Sequence, residues 1–158
     1  MVKRNIAALL AFFSIGNTYS QDVDLQDAIQ ALIDNALQIK IVARVLPPDE
    51  TPIWDMESTK LTIPGRSIAI QLVGSNIRIF AIFTPYKSED ETILLVAQGQ
   101  VWLTELPEKE VKYLSTFRSI PITLGEKILF FPLGLTSEII KSDFFNIELE
   151  IQIMPYQE

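Results

Sequence analysis

The stretch IELEIQI (residues 147–153) has the clearest strand pattern in this protein. Its apolar residues occupy every second position, and Glu148, Glu150 and Gln152 fill the positions between them. Successive side chains of a β-strand point to opposite sides, so this alternation predicts a strand with one buried face and one solvated face. The stretch IKIVARV (residues 39–45) repeats the pattern and predicts a second strand of the same kind.

Outward from these two segments, β-rich runs separated by proline, glycine and polar turn residues fill most of the chain. We predict further strands over 53–63 (in two pieces), 67–72, 77–84, 92–104, 113–122 and 127–133. About eight short strands with turns between them predict an all-β fold, mainly an antiparallel β-sandwich, with a barrel as the alternative. Residues 77–84 and 93–96 are apolar on both faces, which predicts central strands covered on both sides.

One amphipathic helix is predicted ahead of the strands, over residues 24–37. Leu25, Ile29 and Leu32, with their apolar neighbours, follow the i, i+3, i+4, i+7 spacing that forms one apolar stripe. Asp22 or Asp24 is a suitable cap for its first turn. We expect the stripe to pack on the sheet, and the alternative is a helix offered to the groove of a partner.

The first twenty residues have the pattern of a secretory signal peptide. Lys3 and Arg4 precede an apolar run from residue 6 to 15, and the small residues Thr18 and Ser20 favour cleavage after Ser20. The run is too short to span a membrane. We therefore predict a signal peptide over 1–20 and a single β-sandwich domain over 21–158, exported and without a transmembrane anchor.

The charge and the missing residue types limit the partners and the compartment. The net charge is −7, and it becomes −9 once Lys3 and Arg4 leave with the leader. An acidic domain repels phosphate backbones, so we predict no nucleic-acid partner. The chain has no cysteine and no Asn-x-Ser/Thr glycosylation site, which favours a bacterial exported protein, periplasmic or extracellular.

The absence of histidine and cysteine also limits the chemistry. Neither a Ser-His-Asp nor a Cys-His catalytic arrangement can form, and neither can a conventional zinc site. No catalytic motif is present. We therefore predict a non-enzymatic protein with no catalytic residues, no metal site and no cofactor.

Five residues are candidates for binding. Trp54, Tyr86 and Trp102 are aromatic residues outside the obvious core positions, and aromatic side chains commonly anchor protein interfaces. Gln98, Gln100 and Trp102 share one face of a predicted strand, where amides beside an indole could bind a sugar. The opposite face, with Ala97, Gly99 and Val101, has the small and apolar residues of a packed side.

Two acidic groups are weaker candidates. Asp55 and Glu57 share one face of a strand with their α-carbons about 6.6 Å apart, a spacing that a glycosidase could use. The simpler interpretation is a solvated face on an edge strand. The hairpin tip Glu89-Asp90-Glu91 offers oxygen ligands for calcium, but a solubilising tip is the better interpretation.

These observations order three hypotheses. The first is an exported, non-enzymatic β-sandwich that acts as a protein-interaction or structural module of a bacterial cell envelope, with an envelope protein as its partner. The second is a carbohydrate- or cell-wall-binding module that uses Gln98, Gln100 and Trp102. The third is a carboxylate-dependent glycoside hydrolase built on Asp55 and Glu57.

Overall fold

A computed structural model describes residues 20–46, 54–88, 90, 92–105, 110–134 and 146–157, without the side chains of 20–23, 54 and 105. The predicted signal peptide, apart from Ser20, lies outside these residues. The described elements are one helix followed by eight strands: α1 (Ser20–Asp34), β1 (Leu37–Leu46), β2 (Trp54–Thr62), β3 (Ile68–Val73), β4 (Ile77–Lys87), β5 (Ile93–Glu105), β6 (Glu110–Ile122), β7 (Lys127–Phe130) and β8 (Asn146–Pro155). Among the described residues, no helix is long and apolar enough to cross a membrane.

The strands form two antiparallel sheets of four strands each. Sheet A has the order β2-β1-β8-β7, and sheet B has the order β3-β4-β5-β6. Buried residues from both sheets belong to one hydrophobic cluster, so the sheets face each other across a shared core. The predicted all-β fold with one short helix is confirmed, and the architecture is a sandwich of two sheets.

The two alternating segments that predicted the fold are neighbours at the centre of sheet A. β1 pairs with β8 so that Ile41 lies opposite Ile151 and Ala43 opposite Leu149. All four side chains are fully buried. The register therefore turns both apolar rows toward sheet B, and it places Arg44 opposite Glu148 on the outer side.

A ring contact and a close backbone approach join the two sheets. The rings of Phe83 in β4 and Phe130 in β7 meet edge to face with their centroids 5.8 Å apart, a favourable geometry for aromatic pairs. Beyond β7, Pro132 lies against Gly99 of β5, where a methyl group added to Gly99 would be 3.0 Å from the Cα of Pro132. The hydroxyl of Thr116 donates a hydrogen bond to the carbonyl oxygen of Pro132 at 2.8 Å.

Several strand boundaries differ from the sequence prediction, and proline explains two of the differences. β4 continues through Pro85 to Lys87. The pairing of β3 with β4 ends at Phe83, so at Pro85 the strand has a neighbour on one side only. A proline, which lacks an N–H, is tolerated at such a position. β7 ends at Phe130, ahead of Pro132. The predicted break within residues 53–63 is absent, since β2 pairs continuously with β1 over the described residues.

Two predictions about packing are wrong. The apolar stripe of α1 does not pack on the sheet, because Leu25, Ile29 and Leu32 are 61%, 48% and 54% exposed. Strands β4 and β5 are central in sheet B as predicted, but they are covered on one side only. On their outer side Leu94 is 40% exposed. An apolar pattern shows that a residue favours burial, and it does not show which molecule buries it.

Candidate interaction surface

The outer face of sheet A is charged. The amine of Lys40 lies 2.8 Å from a carboxylate oxygen of Glu57. Arg44 binds Glu148 at 2.9 Å and Glu150 at 3.1 Å. The amine of Lys127 lies 2.9 Å from the second oxygen of Glu150. These pairs cross from strand to strand on the solvated side, where they suit contact with water.

The ion pairs around Arg44 shift the pKa values of Arg44 and Glu150. Hydrogen bonds to Glu148 and Glu150 raise the pKa of Arg44 above its ordinary value. The hydrogen bond from Lys127, followed by the one from Arg44, lowers the pKa of Glu150 although partial burial opposes the change. Both shifts favour the charged forms, so the ion pair between Arg44 and Glu150 is retained near neutral pH.

The outer face of sheet B is apolar and aromatic. We call it the apolar face and define it by the outward side chains of β3 to β6. Its large apolar members, placed by strand register, are Val73, Phe80, Ile82, Tyr86, Leu94, Val96, Trp102, Val111, Tyr113 and Phe117. Among the outward positions of these four strands, Arg78 is the one charged residue.

An aromatic pair lies near one end of the apolar face. Trp102 of β5 and Tyr113 of β6 are directly opposite in the register. Their ring centroids are 5.4 Å apart and the ring planes are tilted by 49°. Four residues along β6, Phe117 points outward with 64% of its surface exposed. The register places it opposite Gln98, so the aromatic residues and the amides form one continuous surface.

Two cavities lie at the same end of the sandwich as Trp102. A surface cavity of about 290 Å³ is lined by Arg78, Trp102, Val111 and the hairpin that joins β3 to β4. A larger one, of about 420 Å³, opens between the sheets on the other side of that hairpin and is lined by Val45, Met56 and Ile147 among others. The smaller cavity extends the apolar face with a guanidinium beside an indole.

The structure brings three of the five candidate binding residues together. Gln98, Gln100 and Trp102 lie along the outer side of β5, and the opposite side of the strand is packed as predicted. Tyr86 is on the same face but at its far end, opposite Leu94. The backbone of Trp54 belongs to the edge strand of sheet A, and its side chain lies outside the described residues.

The sequence interpretation missed the contribution of β6. Val111, Tyr113 and Phe117 are each more than half exposed, and none of them was a candidate. The signal was present, because residues 111, 113 and 117 share one phase of the strand while Leu114 and Ile120 share the other. In a sandwich, only one face of an edge strand packs on the core. Apolar residues in both phases of such a strand therefore indicate a second, outward apolar face.

The acidic candidates lie apart from the apolar face. Asp55 and Glu57 are exposed on the outer side of the edge strand β2, and Glu57 pairs with Lys40. This placement fits the solvated-edge interpretation, and the glycosidase hypothesis stays a prediction.

At the hairpin tip, Asp90 accepts a 2.7 Å hydrogen bond from the hydroxyl of Thr92, and Glu89 and Glu91 lie outside the described residues. Within the part of the chain that the structure describes, no group of three acidic residues is placed to hold a metal ion.

The chain has limited similarity to known proteins. No protein-family model matches it, and no curated protein matches its sequence. Three solved structures of the Salmonella SPI-1 type III secretion injectisome resemble it in part. The secretin InvG at near-atomic resolution is 11% identical with a TM-score of 0.38, over 88% of this chain and 70% of that chain. An atomic model of InvG, PrgH and PrgK gives the same identity and score over 88% and 50%. InvG in its open-gate state is 12% identical with a TM-score of 0.32, over 90% and 67%. Scores this low do not establish a shared fold, so they assign this chain neither a family nor a function.

Proposed function

We propose that this protein is an exported, non-enzymatic module of a bacterial cell envelope that binds another protein through the apolar face of sheet B. The observation that carries the proposal is the difference between the two outer faces. Among the described residues, the outer face of sheet A has four ion pairs between its strands, whereas that of sheet B exposes aromatic and aliphatic side chains with Arg78 as its one charge.

The composition of the apolar face suits a protein partner. Large contiguous apolar patches are uncommon on monomeric soluble proteins and mark interaction sites. Interface cores are depleted in charged residues and enriched in tryptophan, tyrosine, phenylalanine and arginine. The aromatic pair Trp102–Tyr113, the exposed ring of Phe117 and the guanidinium of Arg78 supply these residue types on one surface.

The proposed location in the cell envelope is based on the signal-peptide pattern of the first twenty residues. The basic start, the apolar run and the small residues before position 21 have the pattern that directs export. The absence of cysteine and of glycosylation sites suits a bacterial envelope. A domain that has no histidine or cysteine for catalysis and that displays a broad apolar face is suited to assembly with other proteins.

The test is crosslinking of the tagged protein in intact cells that produce it, followed by mass spectrometry of the attached proteins. Wild-type chain is compared with Phe117→Ser and Trp102→Ala. The matched control is Leu61→Ser, since Leu61 is 59% exposed but lies on the outer side of β2 in sheet A. We expect the two apolar-face variants to lose the crosslinked partner while the control retains it. Equal recovery from all four proteins would contradict the proposal.

A carbohydrate-binding role is the second candidate, and one observation favours it. Among the described residues, the side-chain amides of Gln98 and Gln100 make no hydrogen bond, and they lie in line with Trp102 on an open face. Free amides beside an aromatic ring can bind sugar hydroxyls. Titration of the indole fluorescence with soluble glycans tests this role. A saturable change that Gln100→Ala abolishes would support it, and a flat response across the panel would exclude it.

A further inference from the structure

The described residues contain a second apolar surface without a partner, the stripe of α1. Leu25, Ile29 and Leu32 lie on one side of this helix, and each is about half exposed or more. The whole helix from Asp24 to Leu32 is exposed, and the first half-buried residue is Ile33. A 15-residue helix is about 22 Å long, so it fits along the outer side of sheet B, whose two longest strands have 13 residues each.

The helix cannot cover the apolar face of its own chain. It ends at Asp34, and β1 of sheet A begins at Leu37. The connection is held in place, because the carbonyl oxygen of Ala36 accepts a 2.9 Å hydrogen bond from the amide of Tyr156. Two residues reach about 7 Å, whereas facing sheets are about 10 Å apart and the apolar face lies beyond the second sheet. The apolar face is therefore out of reach for its own helix.

The charges favour contact between helix and sheet over contact between two helices. The sequence of α1 contains four aspartates and no basic residue. Two such helices would bring like charges together. The outward positions of β3 to β6 carry no acidic residue, although the chain as a whole has a net charge of −7. Arg78 lies on the apolar face, beside Trp102 in the register. The acidic helix thus meets the guanidinium of Arg78 there, without opposing acids.

We propose that the apolar face of one copy binds α1 of a second copy of this chain. This inference rests on the proposed interaction role of the face and names its partner. The stripe of Leu25, Ile29 and Leu32 packs on the apolar side chains around Phe117 and Trp102, and the aspartates stay at the solvated margin near Arg78. Because each copy gives a helix and receives another at a different site, the contact is head to tail. Repetition produces a ring or an open chain of subunits.

Engineered disulfides test the contact directly, since the native chain has no cysteine. Chains that carry Ile29→Cys and chains that carry Phe117→Cys, with different tags, are purified, mixed and mildly oxidised. The matched control replaces Phe117→Cys with Leu61→Cys, at a similarly exposed leucine on the other sheet. We expect the 29–117 bond between chains to form at least about ten times faster than the 29–61 bond, because binding raises the effective concentration of the two thiols.

Each other outcome contradicts the inference. Predominant 29–29 bonds would show that helices pair with helices, and predominant 117–117 bonds would show that two apolar faces pair. Equal rates with the control at position 61 would show random collision. Sedimentation velocity of cysteine-free chains gives a second readout that does not depend on disulfide geometry. We expect wild-type chain and Leu129→Asp to associate as concentration rises and Leu32→Asp to remain monomeric. A wild-type chain that stays monomeric throughout would overturn the inference.

The inference and the proposed function can fail separately. If the purified chain stays monomeric while Phe117→Ser still loses a different protein partner in cells, only the self-association is wrong. If Phe117→Ser and Leu61→Ser both retain all crosslinks in cells, the apolar face is not an interface at all.

Discussion

Gly99 lies on the inner side of β5, where the chain beyond β7 crosses it. An added methyl group would lie 3.0 Å from the Cα and 3.1 Å from the Cβ of Pro132, and 3.4 Å from the ring of Phe130. Backbone atoms and a proline ring yield little, so the added carbon would force the two sheets apart locally. The close contact between the sheets at this point therefore depends on the absence of a side chain.

We predict that Gly99→Ala lowers the free energy of unfolding by about 1–3 kcal/mol, the usual cost of overpacking a core. Gln100→Ala is the control, because it changes the neighbouring residue on the outer side of the same strand. It should change stability by less than about 0.5 kcal/mol. Denaturant titration of both variants measures the difference, and equal stabilities would contradict the packing described for Gly99.

Glu150 makes the stability of sheet A dependent on pH. Lys127 and Arg44 lower its pKa in the folded state, so the unfolded chain binds a proton more readily. The contribution of Glu150 to the free energy of unfolding is therefore complete above the pKa of glutamate in the unfolded chain, which is about 4.3. It is lost as pH falls through the lower pKa of Glu150 in the folded state. Glu150→Gln should lower the free energy of unfolding at pH 7 by at most about 1 kcal/mol.

That difference between wild-type chain and Glu150→Gln should shrink as pH falls from about 5 to about 3. Denaturant titrations at several pH values measure it. Glu57→Gln is the comparison at pH 7, since Glu57 has a single ion pair with an exposed partner and the loss of such a pair costs little. A penalty for Glu150→Gln that is the same at pH 7 and pH 3 would show that its ion pairs do not stabilise the fold.

The sequence predicted the positions of the strands better than it predicted which outer faces are buried. β1 and β8 were predicted from strict alternation, and the structure pairs them with both apolar rows inward. The stripe of α1 and the outer side of β6 show the opposite case. Their apolar residues can be recognised in the sequence, but hydrophobic periodicity gives information about a single element and not about its neighbours. Whether a stripe meets its own core or another molecule depends on the path of the chain, which periodicity does not contain.

The exposed helix stripe leads to a prediction about stability. Leu32→Gln should change the free energy of unfolding by less than about 0.5 kcal/mol, because Leu32 is 54% exposed and surface substitutions have small effects. Leu149→Ala, at a fully buried position in β8, should cost about 2–5 kcal/mol. Denaturation at low protein concentration compares the two variants. A comparable loss for Leu32→Gln would show that the helix packs on the sandwich after all.

The two sheets of the sandwich have different outer faces. Sheet A meets water with ion pairs that join β1, β2, β7 and β8. Sheet B presents its apolar face, and α1 extends from the sandwich with its own stripe exposed. A chain with two complementary apolar surfaces at separate places is suited to assembly. The fold could be predicted from the sequence, but this division of surfaces required the strand order.

The most direct test of the proposed interface is site-specific photocrosslinking in intact cells. A benzophenone amino acid is placed at position 117 on the apolar face, or at position 61 on the outer side of sheet A as the control. We expect a discrete protein adduct on illumination at position 117 and none at position 61. No adduct at 117, or the same adducts at both positions, would contradict the assignment of the apolar face as a protein interface.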